Sequence, residues 1–153
     1  GAGKESGGDL GYFAQGDINE KDLLEKAIGT EITEGRGHYL RFEVPTTWQI
    51  WEDNGMEVDS TCGYADKEGF RCGTGQEYSV FNIITRKKLK LKERPLVLMD
   101  VSILVYQDLD GDNMKHIVKQ LMEHSNDVTI LWHNSQITHL EYYNYIIDSL
   151  ITN

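Results

Sequence analysis

At 153 residues the chain is long enough to bury one substantial core, and 39% apolar residues with only two prolines exclude a disordered or fibrous protein. A formal charge of −10, from 25 acidic and 15 basic side chains, repels a phosphate backbone, so no nucleic-acid partner is expected, whereas a neutral sugar polymer is compatible. No apolar run is long enough to span a bilayer, and Cys62 and Cys72 have neither metal-site spacing nor a dense disulfide framework.

In chain order, residues 1–9 read as a flexible lead without the basic-then-apolar layout of a signal peptide; with two cysteines expected as thiols, this gives a cytoplasmic expectation. Gly3-Lys4 is no phosphate loop, because no strand precedes it and Glu5 follows the lysine. Asp17-Ile18-Asn19-Glu20 reads as an acidic helix cap, followed by Leu23, Leu24, Ala27 and Ile28 on an amphipathic helix that Gly29 closes. From His38 to Val44 the alternation of Tyr39 and Arg41 with Leu40 and Phe42 predicts a strand ended by Pro45. Thr46 and Gln49 form a second capping box, opening a short helix that carries Trp48 and Trp51 and stops at Asn54-Gly55.

Met56–Asp59 is a short strand before a long glycine-rich loop, and Tyr78–Ile84 is extended. In Arg86–Lys92 leucines alternate with lysines, which suits a solvated strand or loop edge, with a sugar- or anion-binding patch as the other reading. Leu96–Leu104 is apolar enough to be buried on both faces, but Asp100 interrupts it, so that carboxylate must find a partner or mark a break. A helix over Asp112–His124, a buried strand over Val128–Trp132 and a helix over Thr138–Ile151 complete an alternation of strand and helix that predicts an α/β parallel arrangement. Asp108, Asp110 and Asp112 have calcium-loop spacing, but Asn113 and Lys119 stand where that loop needs glycine and glutamate, so the stretch reads as a turn and N-cap.

Five blocks stand in order from Gly29 onward: Arg36-Gly-His38-Tyr39-Leu40-Arg41-Phe42, Pro45-Thr-Thr47-Trp48, Asp59-Ser60-Thr61-Cys-Gly63-Tyr64-Ala65-Asp66, Gly69-Phe70-Arg71-Cys-Gly73-Thr74, and a strand ending Trp132-His133-Asn134. Together they resemble the polysaccharide deacetylase-like proteins of bacterial surface-polysaccharide loci, the NodB-homology superfamily of carbohydrate esterases. The resemblance implies a partial (β/α) barrel-like parallel arrangement, with residues 10–153 as a single domain matching mainly the C-terminal portion of the family domain. It implies metal-dependent removal of N-acetyl groups from sugars, with a divalent metal such as zinc. In that scheme His133, at the carboxyl end of a buried strand, is the general acid; Arg36 orients the base; and Asp59 tunes an arginine or caps its turn. Tyr39, Arg41, Tyr64, Arg71 and Trp132 would meet the sugar, and Trp48 and Trp51 read either as sugar-stacking or as core.

The chain departs from the family pattern at its metal. Family members hold it with an aspartate and two histidines and use a second aspartate as base, whereas no histidine precedes His38 here and no Asp-Asp pair occurs. Asp9, in Gly8-Asp9-Leu10-Gly11-Tyr12, stands nearest a metal histidine position. Two functions therefore stand side by side: a deacetylase completed by residues from elsewhere, or a catalytically inactive carbohydrate-binding or assembly module. A third is an acidic domain acting only through protein contacts. A part-barrel leaves strand edges unpaired, so a homo-oligomer or a partner chain is expected.

Overall fold

A computed structural model describes residues 8–151. It is a mixed α/β structure with parallel strands and no closed barrel among the described residues. The chain gathers into two compact units, residues 8–62 with 77–94, and 63–76 with 95–151.

In the first unit, helix α1 spans Gly8–Ile28 and is closed by Gly29 at φ +71°, a conformation that suits a residue without Cβ. The helix begins upstream of the expected acidic cap, so Asp17 lies mid-helix, one position before Ile18 and three after Ala14, both buried. Helix α2 spans Thr46–Asp53 and buries Trp48 and Trp51, which belong to the core and not to a sugar-stacking surface. Its expected capping box is not made: no side chain caps the helix, Thr47 Oγ1 accepts the Glu43 N–H instead, and Gln49 bonds Asp53 and Asn82.

The sheet of this unit has strand order β1-β2-β4-β3, with β1 at Glu34–Gly35, β2 at Val58–Asp59, β3 at Tyr78–Asn82 and β4 at Lys87–Glu93. Strands β1, β2 and β4 run parallel, and β1–α2–β2 is a βαβ unit. Strand β3 runs antiparallel to β4, because four residues join them and a parallel return needs a far longer crossover. The Leu/Lys alternation turns Leu89, Leu91 and Glu93 inward and Lys88, Lys90 and Lys92 outward, although β4 is an inner strand of the sheet. Burial of Leu89 and Leu91 contributes about 1.5–3 kcal/mol each.

The strand expected over His38–Val44 is absent. Glu34 and Gly35 pair with Val58 and Asp59, and Ser60 N–H donates to Gly35 O at 2.9 Å, so β2 is already satisfied by the segment just upstream. His38–Leu40 forms a 3-10 turn instead, with Tyr39 and Leu40 at φ +60° and +54°.

The second unit pairs β5 (Leu96–Met99) in parallel with β6 (Thr129–Leu131), joined by α3 (Gly111–His124). The apolar run after Met99 leaves the strand at Asp100 and coils into a π-helical turn over Ser102–Tyr106. Asp110 caps α3 by accepting the Asn113 N–H at 3.0 Å, as a turn-and-cap reading requires. A 3-10 turn over Asn134–His139 leads into α4, Leu140–Ile151. Val97, Leu98, Ile103, Met114, Val118, Leu121 and Ile146 form the core of this unit.

Candidate functional site

Two polar constellations stand out, one in each unit. In the second unit Asp100 follows β5 directly and is fully buried at its side chain, while His133 follows β6 by one residue and its side chain is 39% exposed. Because β5 and β6 are parallel neighbours, their carboxyl ends bring the two residues together. Asp100 Oδ2 accepts the His133 backbone N–H at 2.7 Å, and Asp100 Oδ1 lies 2.6 Å from His133 Nδ1. The same Oδ1 accepts the Val101 N–H at 2.8 Å, so the carboxylate bridges both strand ends. A carboxylate facing Nδ1 selects the tautomer with the proton on that nitrogen and leaves Nε2 turned to other chemistry. The carboxylate that interrupts the apolar run is thus what orients the histidine at the end of the neighbouring strand.

The other sequence-selected residues of this unit lie on its surface or in its core. Lys67 Nζ and the Arg71 guanidinium lie 4.6 and 5.9 Å from the Tyr64 ring centroid, and Arg71 Nη1 also donates to Gly63 O at 2.7 Å. Trp132 packs against the core with its ring edge-on to Tyr143 at 5.5 Å, and its buried Nε1 has no hydrogen-bond partner.

In the first unit the parallel register places Asp59 opposite Glu93, and both are fully buried. Glu93 accepts the Cys62 N–H at 2.9 Å and the Trp48 indole N–H at 3.2 Å. Asp59 Oδ1 accepts both the backbone N–H and the hydroxyl of Thr61, at 2.9 and 2.5 Å, while Oδ2 has no hydrogen-bond partner among the described residues. Burial pushes the Asp59 carboxyl up to about 6, the neighbouring Asp17 charge adds to the rise, and the Thr61 bonds and Arg36 oppose it. Arg36 donates from Nε to Ser60 O at 2.7 Å and from Nη2 to Ser60 Oγ at 2.9 Å. Desolvation lowers its pKa against the pull of Asp59 and Glu93. Arg36 therefore grips the Ser60 turn with the two acids nearby, and Asp59 combines the capping and charge-tuning roles.

Asp17 approaches the same turn from α1. Its carboxyl accepts the His38 backbone N–H and is pushed up to about 6 by partial burial first and by Glu20 second. A Cβ built on Gly37 would lie 3.3 Å from Asp17 Oδ2 and 2.9 Å from Arg41 O. Outside this contact lies a cleft of about 250 Å³ lined by Asp17, Glu20, His38, Tyr39 and Arg41 among others. Tyr39 stacks on His38 at 4.1 Å and is 76% exposed, with the Arg41 guanidinium 5.5 Å from its ring centroid.

The sequence reading thus missed Asp17 and Glu93. Both carried a signal: Asp17 shares the buried stripe of α1 with Ala14 and Ile18, and Glu93 continues the period-two inward set of Leu89 and Leu91. Among the described residues no group of three or more His, Cys, Asp or Glu side chains is arranged to hold a metal ion, so they do not fit a zinc centre. The Asp9 side chain lies outside the described residues. Comparison of the chain with protein-family models, with curated proteins and with solved structures gave no match.

Proposed function

We propose that the chain is a polysaccharide deacetylase-like α/β domain in which His133, held by Asp100, supplies the proton-donating half of N-acetyl hydrolysis on a sugar. The observation that carries this reading is the two-point grip of the buried Asp100 carboxylate on the backbone and ring of a half-exposed histidine. The β1–α2–β2 and β5–α3–β6 units support a (β/α) barrel-like lineage, in which strand carboxyl ends carry the chemistry.

In the reaction, water adds to the amide carbonyl, forming a C–O bond as one of its O–H bonds breaks and the proton passes to solvent; the C–N bond then breaks as the departing nitrogen takes a proton from His133 Nε2, which solvent restores. The products are acetate and the amino sugar. An imidazole is a proton donor and acceptor suited to neutral pH, and the Asp100 carboxylate fixes the orientation of this ring. Arg36, Asp59 and Glu93 hold the Ser60–Cys62 turn of the first unit. Among the described residues the side chains do not form a set that would hold the zinc of the resembled family.

The test is acetate release from N-acetylglucosamine oligomers with zinc supplied. His133→Ala should lower turnover by roughly 10²–10⁴-fold, the usual contribution of a positioned acid, with KM little changed. Asp100→Asn should lower turnover without abolishing binding. Turnover that His133→Ala leaves intact would sink the assignment.

A second reading, a carbohydrate-binding module without turnover, is favoured by the cleft beside Tyr39. An aromatic face 76% exposed and held at φ +60°, beside the carboxyls of Asp17 and Glu20, suits a sugar ring and its hydroxyls. Glycan binding that Tyr39→Ala removes, with no acetate released, is the outcome that selects it.

A further inference from the structure

The basic stretch Arg86–Lys92 is not used by either constellation, and the structure places it directly beside an apolar tip. Strands β3 and β4 form a hairpin whose turn exposes Ile83 at 65% and Ile84 at 76%, with Phe81 exposed at 47% on the adjoining face. Three large exposed apolar side chains at and beside one turn are unusual for a surface that meets only water. The turn is also held in shape. Asn82 is buried, its Oδ1 accepts the N–H groups of Ile84 and Thr85 at 3.0 Å each, and its Nδ2 donates to Gln49 Oε1 of α2 at 2.7 Å. The isoleucines are therefore presented by a fixed turn.

Arg86, in the turn itself, and Lys87, Lys88 and Lys90 on β4 are all exposed, and none of the four takes part in an ion pair among the described residues. Lys88 lies directly opposite Phe81 in the antiparallel register, so cation and apolar ring share one face. Lys92, further from the tip, is paired with Glu77 at 2.8 Å and marks where the unpaired cations end. In a chain of net charge −10 this local reversal of sign is a strong asymmetry. Any approach to a negatively charged surface is steered so that the hairpin leads.

We propose that the β3–β4 tip is a peripheral docking site for an anionic lipid bilayer. Ile83 and Ile84, with Phe81, enter the boundary between headgroups and acyl chains, while Arg86, Lys87, Lys88 and Lys90 lie at the level of the lipid phosphates. The charge match favours this occupant: apolar Ile83 and Ile84 share the turn with Arg86, and Lys87, Lys88 and Lys90 follow on β4, which suits apolar side chains entering an anionic bilayer while the cations meet its phosphates. No spanning segment is needed, and none of the described helices is long and apolar enough to be one. The inference is independent of the His133 chemistry.

The test is flotation of the chain with vesicles of phosphatidylcholine alone or with added phosphatidylglycerol. Binding is expected to the anionic vesicles only, and to weaken by about tenfold or more at about 1 M salt, where the screening length is about 3 Å. Ile83→Asp with Ile84→Asp, and separately Lys87→Glu with Lys88→Glu, should each abolish it, with unfolding midpoints showing that both variants fold. Ile84→Trp adds an indole probe at an exposed position, whose emission should shift to the blue on anionic vesicles alone. Absence of flotation, or equal flotation with both vesicle types, would overturn the proposal. Binding lost in the lysine variant but kept in the isoleucine variant, with no blue shift from the introduced indole, would also overturn it and assign the patch to a soluble polyanion.

Discussion

The environment of Asp59 makes a pH prediction whose sign separates two physical pictures. The carboxyl is fully buried, with a pKa of about 6 in the fold against an ordinary value of 3.8, and burial is the largest cause. A folded pKa above the unfolded one means the carboxyl's contribution to stability is fully present below pH 3.8 and is lost as pH rises through about 6. That gap corresponds to ~3 kcal/mol at ~1.36 kcal/mol per pH unit. Asp59→Asn keeps an oxygen for the two Thr61 bonds and removes the titration. It also puts an amide nitrogen where Oδ2 has no hydrogen-bond partner among the described residues, at a pH-independent cost of about 1–3 kcal/mol. The informative quantity is therefore the stability difference between wild type and variant as a function of pH. Urea unfolding followed by the fluorescence of Trp48 and Trp51, both in the unit that holds Asp59, should show wild type losing ~3 kcal/mol relative to the variant between about pH 4 and about pH 7. If Arg36 instead dominated as an ion-pair partner, the folded pKa would lie below 3.8, wild type would gain on the variant as pH rose toward about 4, and the difference would be nearly flat above that. A flat difference or that opposite slope would refute the burial argument.

Two further substitutions test the local geometry. Gly37→Ala places a Cβ 2.9 Å from the Arg41 carbonyl oxygen, a backbone atom that cannot swing away, and should cost about 1–3 kcal/mol in the same urea assay. Asp110→Ala removes the side-chain bond at the N-cap of α3 and should cost about 1 kcal/mol, seen as a lower unfolding midpoint for the second unit by Trp132 fluorescence.

Local patterns carried most of the fold. Helix α3 and strand β6 could be read because their local signals agree with their tertiary environment, and α2 and the Leu/Lys strand β4 by periodicity alone, since the α2 capping box is not made and β4 is an inner strand and not an edge. The failures occur where a distant partner decided. His38–Val44 has strand-like alternation, but the edge of β2 was already occupied by Glu34–Gly35, two residues with no strand signature of their own. The acidic residues at 17–20 look like a cap, yet α1 continues back to Gly8, so the cap reading followed local chemistry and missed helix length.

The candidate sites divide along the same line. Asp100 was conspicuous from sequence because a carboxylate inside an apolar run has an unavoidable desolvation cost, and the structure identifies what meets that cost: a histidine at the end of the next parallel strand. The partner's identity depended on pairing of β5 with β6 across thirty-odd residues, which no local pattern specifies. Glu93 is the complementary case. Its inward direction follows from period two alone, but the sequence reading of the basic stretch stopped at Lys92. Two inward carboxylates in register, Asp59 and Glu93, would repel if both were charged and unsupported. The arrangement persists because Glu93 takes two N–H donors, Arg36 lies close to both acids, and Asp59 is pushed toward its neutral form. The compromise is incomplete, since Oδ2 of Asp59 still lacks a hydrogen-bond partner among the described residues, and a fold that keeps such an atom at zero exposure is holding the Ser60–Cys62 turn in one geometry at a cost in stability.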